Sequence, residues 1–228
     1  MDKLQKNLRG LDAAATELST LLRREGIRHA FIGGYATSLI SAMRITQDID
    51  VIVDADPRTI QNLLLQDPIF QIQERRREAD PVKCDIIRGG DNEHMRLPSA
   101  ASVKIMSMPP HTRLPILSEL PIVHPSILFL TKVKRWAIYR TSHRPESKRK
   151  FKTDAEDIVV LLKWLRDSGM HIDFAGYPER PKELTLQNVC DLYRHSESSE
   201  MCQLLEANLK PEDLAAVQNY NGAESPSF

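Results

Sequence analysis

The chain has 228 residues, enough to bury a sizeable core as one large domain or two small ones. Its 31 basic and 31 acidic side chains cancel, which excludes a protein whose whole surface is a nucleic-acid footprint and leaves only a local patch open. Three scattered cysteines, Cys84, Cys190 and Cys202, have neither metal-ligand spacing nor a disulfide framework and point to a reducing compartment. The first 22 residues are charged and lack an apolar signal core, and no uncharged apolar run approaches the ~20 residues that span a bilayer. The expectation is a cytoplasmic protein without a membrane segment.

In chain order, Leu4, Leu8, Leu11, Ala15, Leu18 and Leu22 recur at helical spacing, which predicts an amphipathic helix over residues 3–25 closed by Gly26. His29–Ile32 is a short apolar strand running into Gly33-Gly34. A helix follows over Tyr35–Met43, then an alternating strand over Asp48–Val53 and a Pro-started helix over Pro57–Leu65. Ile69–Gln73 and Val82–Ile87 are further strand candidates, and Gly89-Gly90-Asp91-Asn92 reads as a turn. Between Leu97 and Pro125 prolines leave room only for short strands, for instance around Ile116 and Ile122. Helical patterns return over Ser126–Arg140, Thr153–Ser168 and Leu184–His195. The fold class is therefore α/β (α+β), with an α/β first portion over residues 1–125 and a mainly helical portion over 126–228 packed against it.

Chemistry concentrates between Ile32 and Val53. Side chains alternate along a strand, so Asp48 and Asp50 share one face while Ile49 and Val51 take the other. Two carboxylates ~6–7 Å apart repel unless a positive charge sits between them. Mg²⁺ is commonly held by one or two carboxylates together with nucleotide phosphate oxygens. A solitary Asp-x-Asp is more often a strand end and a solvated side chain. Here, though, Gly33-Gly34 stands between a strand and a helix, where glycine lets the backbone approach a phosphate and the helix start offers free N–H groups. Asp85, on the strand candidate after the charged stretch, completes a possible set of three carboxylates, enough for two metal ions. Arg44 lies six residues before Asp50, where it either reaches a phosphate or the carboxylates, or caps a helix end.

The run Phe31-Ile32-Gly33-Gly34-Tyr35-Ala36, followed by Arg44-Ile45-Thr46-Gln47-Asp48-Ile49-Asp50-Val51, resembles the signature of the polymerase-beta-like nucleotidyltransferase superfamily. In detail it is most similar to the AbiEii-type toxin nucleotidyltransferases and their uncharacterised relatives. The resemblance implies a small mixed β-sheet flanked by helices, with a helical carboxy-terminal portion. It implies Asp48, Asp50 and Asp85 as the catalytic and metal-holding carboxylates, and Mg²⁺ (or Mn²⁺) as the cofactor. It further implies that Gly33, Gly34, Arg44 and Thr46 surround a nucleoside triphosphate. Tyr35 departs from the pattern, standing where a small hydroxyl residue is often found. Downstream, Lys132, Lys152, Asp154 and Asp157 occupy places comparable to a lysine-bearing helix and a basic–Asp–Asp block of that family, which implies a triphosphate contact for Lys132 and a supporting role for Asp154 or Asp157. Read from the residues alone, Asp154 and Asp157 form an acidic first helical turn capped by Thr153, above a core stripe of Ile158, Leu161, Leu162 and Leu165.

The function expected from these features is Mg²⁺-dependent transfer of a nucleoside monophosphate from a nucleoside triphosphate to an acceptor hydroxyl, on tRNA or other RNA, on protein or on a small molecule. Two alternatives stay open. One is a catalytically degenerate relative that binds nucleotide or a partner without turnover. The other is an RNA-binding module using the basic tract 140–152, in which Arg140, Arg144, Lys148, Arg149, Lys150 and Lys152 face one acid, Glu146.

Overall fold

The computed structural model describes residues 3–41, 44–67, 70, 82–90, 95–112, 119–196 and 198–220. It divides the chain into two compact units, Met1–His124 and Pro125–Phe228.

The first unit opens with α1 (Lys3–Arg24), whose stripe of Leu11, Ala15, Leu18 and Leu22 is fully buried. Fully burying one such leucine is worth roughly 1.5–3 kcal/mol, so this stripe is what docks the helix. Gly26 ends it with φ +68°; its N–H reaches the Arg23 carbonyl at 3.0 Å and the Ile27 N–H reaches the Leu22 carbonyl at 2.8 Å, the paired closure that a left-handed glycine permits. Then come β1 (His29–Ile32), α2 (Gly33–Ile40), β2 (Asp48–Val53), α3 (Pro57–Gln66), β3 (Lys83–Arg88), β4 (Ile105–Met108) and β5 (Leu120–Val123). Asp56 caps α3, its side chain accepting from the Arg58 N–H at 2.7 Å. The expected strand over Ile69–Gln73 and the one around Ile116 lie outside the described residues, apart from Phe70, which is in no strand.

The sheet runs β3-β2-β1-β5-β4. It is mixed: β1 is antiparallel to β2 and parallel to β5, β2 is parallel to β3, and β4 is antiparallel to β5. The fully buried β1 lies at its centre. Ser19 Oγ on α1 meets His29 Nε2 on β1 at 2.8 Å, which places α1 against the face that carries His29 and Phe31. By alternation, the register Ile32↔Asp50 and Asp50↔Asp85 sets both carboxylates on the opposite face. β4 had no distinct sequence signal, because its four residues alternate between exposed and half-buried at the sheet's far edge.

The second unit is helical: α4 (Pro125–Arg140), α5 (Pro145–Asp167), a single 3-10 turn at Phe174–Gly176, α6 (Lys182–His195), α7 (Ser199–Asn208) and α8 (Pro211–Asn219). α4 packs on α5 and α6, α5 on α7, and α6 on α8. The expectation that a helix starts at Thr153 is corrected. Pro145 occupies the first turn of α5 and Arg144 precedes it as N-cap, so Thr153 is internal and caps nothing. Of the tract read as a basic loop, Arg140 ends α4 and the stretch 145–152 is the first part of α5. It is fixed there by Phe151, which stacks on Trp136 of α4 at 5.4 Å between ring centroids. Among the described residues no helix is long and apolar enough to cross a membrane.

Candidate active site

Asp48 and Asp50 stand on β2 and Asp85 on β3, all on the face turned away from α1. Parallel pairing aligns Asp48 with Lys83 and Asp50 with Asp85. Neighbouring strands lie ~4.8 Å apart, so Asp50 and Asp85 are side by side and Asp48 and Lys83 are side by side. The closed end of this face is apolar, with Ile52 fully buried and aligned with Ile87. Its open end holds the charges.

The glycine pair abuts the carboxylates directly. Gly33 has φ +72°, and a Cβ there would stand 2.1 Å from Asp50 Oδ2; one on Gly34 would stand 2.8 Å from Thr46 Oγ1 and 3.3 Å from Arg44 Nη2. Only hydrogen in place of a side chain lets Asp50, Thr46 and Arg44 pack this closely on the backbone, at the start of a helix whose N-cap, Ile32, supplies no side-chain hydrogen bond. First-turn N–H groups and a positive dipole end at such a place attract anions. The Thr46 hydroxyl donates to Asp48 Oδ1 at 2.9 Å, orienting that carboxylate. Asn7 on α1 donates to the Thr46 carbonyl at 3.3 Å and so ties the segment before β2 to the first helix. Arg44 does not end the helix, as expected from sequence: α2 stops at Ile40, and Ser41 is its C-cap. Arg44 instead belongs to the connecting segment, with its guanidinium against Gly34 and a hydrogen bond to the Ile45 carbonyl.

Tyr35 turns inward. Its hydroxyl donates to the buried Asp12 of α1 at 2.9 Å, and Asp12 also accepts the Thr112 N–H at 2.6 Å. Burial first, then the neighbouring Asp12 charge, holds the phenol proton far above its usual range. The large side chain anchors α2 from behind and leaves the glycine surface to Asp50, Thr46 and Arg44.

Sequence reasoning did not single out Lys83. Its ammonium lies 2.5 Å from Asp85 Oδ2. Its pKa is raised, chiefly by the hydrogen bond to Asp85, with the charges of Asp85, Asp48 and Asp50 adding to it. The signal was available, since Lys83 sits two residues before Asp85 on the same strand face. Beside it, burial pushes the Cys84 thiol up to about 11, with the Asp85 charge adding, so this cysteine is protonated at neutral pH. Among the described residues, no group of three or more His, Cys, Asp or Glu side chains is arranged as a ligand set for a metal ion. The three aspartates thus share a face, but Asp85 is turned to Lys83.

In the second unit, Lys132, Asp154 and Asp157 form a different arrangement. Lys132 Nζ lies 2.6 Å from Asp157 Oδ2 and 3.4 Å from Asp154 Oδ1, and these side chains are only 3%, 1% and 0% exposed. Arg135, which the sequence reading also missed, binds Asp154 through both Nε, at 2.6 Å, and Nη2. Two cations and two anions balance in the seam between α4 and α5. Asp154 and Asp157 lie well inside α5, so the favourable helix-start position expected for them does not exist.

No protein-family model and no curated protein sequence matches the chain. Among solved structures, it is similar to an antigenic nucleotidyltransferase-like protein from Paracoccidioides brasiliensis, with a TM-score of 0.61 and 16% identity over 90% of this chain and 96% of that one. The two chains share a fold. At that identity the likeness shows a shared fold alone and assigns no residue its role.

Proposed function

We propose that the chain is a nucleotidyltransferase dependent on Mg²⁺ or Mn²⁺ that moves a nucleoside monophosphate from a nucleoside triphosphate to an acceptor hydroxyl. The observation that carries this reading is the contact between the Gly33-Gly34 step and the acidic face: the start of a helix packs so closely on the Asp50 carboxylate that one methyl group on Gly33 would clash with it. The nucleotidyltransferase-like fold supports the same reading.

In this proposal the first-turn N–H groups of α2 and the Arg44 guanidinium receive the phosphates, and Thr46 keeps Asp48 oriented. Asp48 and Asp50 hold the divalent ion, a donor set that suits Mg²⁺ completed by phosphate oxygens. When bound, that ion neutralises charge building on the phosphoryl oxygens. Asp85, released from Lys83, accepts the proton of the attacking hydroxyl. Positioning and charge neutralisation then do most of the chemistry. Lys132, Asp154 and Asp157 serve by holding α4 to α5. The acceptor is an RNA end such as that of tRNA, a protein side chain or a small molecule, and none of these is favoured by the residues of the site.

A second reading, a relative that binds nucleotide without turnover, is favoured by one observation, the engagement of Asp85 by Lys83. Incubation of the full chain with Mg²⁺, each α-labelled nucleoside triphosphate and pools of RNA, protein and metabolite acceptors separates the two. The transferase reading expects label transfer and pyrophosphate release that fall at least about a hundredfold in Asp50→Ala. Nucleotide binding with no release from any pool would favour the second reading, and absence of both would sink each.

A further inference from the structure

We propose that an exposed basic row at the start of α5, made of Arg144, Lys148 and Lys152, docks the phosphate backbone of a folded RNA. The inference uses residues of the second unit alone and stands whether or not the first unit turns over nucleotide.

From Arg140 to Lys152 the chain carries six basic side chains against one acid, Glu146. This excess of five positive charges is gathered in one short stretch of a chain whose total is zero, so the local field has one sign while the rest of the chain is net acidic. Glu146 takes Arg149 at 2.9 Å and Lys150 at 3.9 Å. Arg144, the N-cap, is followed at four-residue intervals by Lys148 and Lys152, so the three line a single face, and each is exposed. Among the described residues none of the three is in a salt bridge. The next acids along α5 do not neutralise them. Asp154 and Asp157 are buried against Lys132 and Arg135, and Glu156, past the end of the row, is the next exposed acid.

Folding alone does not ask for this arrangement. The first turns of a helix favour acids, because the dipole end there is already positive, yet here Glu146 is outnumbered by Lys148, Arg149 and Lys150. An anion on the row would meet the side-chain charges and the dipole end together. Four residues of helix advance ~6 Å, so the row presents cations at about the interval at which phosphates recur along a strand. Successive phosphates of A-form RNA lie closer together than those of B-form DNA, and nearer to this step. A membrane surface fits less well. A helix that lies on a bilayer inserts its apolar face, and that of α5, formed by Ile158, Leu161, Leu162 and Leu165, is fully buried in the fold.

The test follows the fluorescence anisotropy of a labelled RNA hairpin titrated with the full chain at about 50 and about 200 mM salt. The wild type is expected to bind at the lower salt and to lose affinity steeply at the higher. The triple change Arg144→Gln, Lys148→Gln and Lys152→Gln should lower affinity more than about tenfold and make the log–log salt slope shallower by about 2 to 3, as three lost phosphate contacts require. Its thermal transition should not fall, because the cations removed opposed the helix dipole. A control triple at exposed positions elsewhere, Arg58→Gln, Lys104→Gln and Lys210→Gln, removes the same net charge and should bind as the wild type does, as should Asp50→Ala. Absence of RNA binding by the wild type overturns the inference, and so does an equal loss in the two triple variants. Displacement of the hairpin more readily by unlabelled DNA than by unlabelled RNA of the same sequence also overturns it. Retention on phosphatidylserine vesicles in place of RNA would assign the row to a membrane surface and overturn it as well.

Discussion

Asp50 Oδ2 lies 2.1 Å from the point where a Cβ on Gly33 would stand, so the first glycine and the second aspartate of the motif are packed as one unit. The same glycine adopts φ +72°, a conformation that costs an L-residue about 1–2 kcal/mol. Gly33→Ala therefore has two consequences. The backbone strain lowers stability by about 1–2 kcal/mol, and the methyl group drives Asp50 from its place. The expected outcome is a protein that still folds, as judged by its urea transition, with nucleotide and Mn²⁺ affinity reduced more than about tenfold, the factor that corresponds to ~1.4 kcal/mol. Unchanged affinity for both would show that the helix start and the carboxylates act separately.

The buried seam in the second unit predicts loss of fold rather than selective loss of binding. Asp157→Ala leaves Lys132 with its ammonium buried and one partner fewer. Breaking a buried pair in this way costs about 3–5 kcal/mol. Chemical denaturation would register that drop. The double change Lys132→Met with Asp157→Leu is expected to lose less than Asp157→Ala alone, because it removes the stranded charge. If Asp157→Ala kept full stability and lost only nucleotide affinity, the seam would be part of the binding site instead.

His29 gives the fold a dependence on pH. Burial, its main influence, lowers the pKa of this imidazole below the usual 6.5; the Ile27 carbonyl opposes that shift and Arg23 adds to it. A histidine with a lowered folded-state pKa binds fewer protons when folded than when unfolded. Its full stabilisation is present above about 6.5, and it is lost progressively as pH falls from there through the folded value. The unfolding free energy should decline between pH 7.5 and 5.5, and His29→Gln should decline less over that interval. Equal slopes for the two proteins would assign the acid sensitivity to other groups.

Much of this architecture is written locally. The leucine stripe of α1, the glycine that closes it, the alternation of β2 and the Pro-started α3 each follow from spacing, backbone freedom or a missing N–H within a few residues. Asp48 and Asp50 share a face for the same reason, because alternation along a strand needs no distant partner. The placement of Gly33-Gly34 between a strand and a helix was equally legible.

What tertiary structure alone decided concerns partners. Tyr35 looks like a departure at the phosphate position until Asp12, far away in sequence, is seen to receive its hydroxyl. Asp154 and Asp157 look like the first turn of a helix, but the stack of Phe151 on Trp136 accompanies a helix begun at Pro145, and Lys132 and Arg135 then claim both carboxylates. Asp85 reached the acidic face only through the register of β3 on β2, and the same register brought Lys83 with it. Local sequence determined which residues carry charge and which way they point along their own element. Strand pairing and helix packing decided which opposite charge each one meets, since that depends on distances across the fold that no short-range pattern encodes.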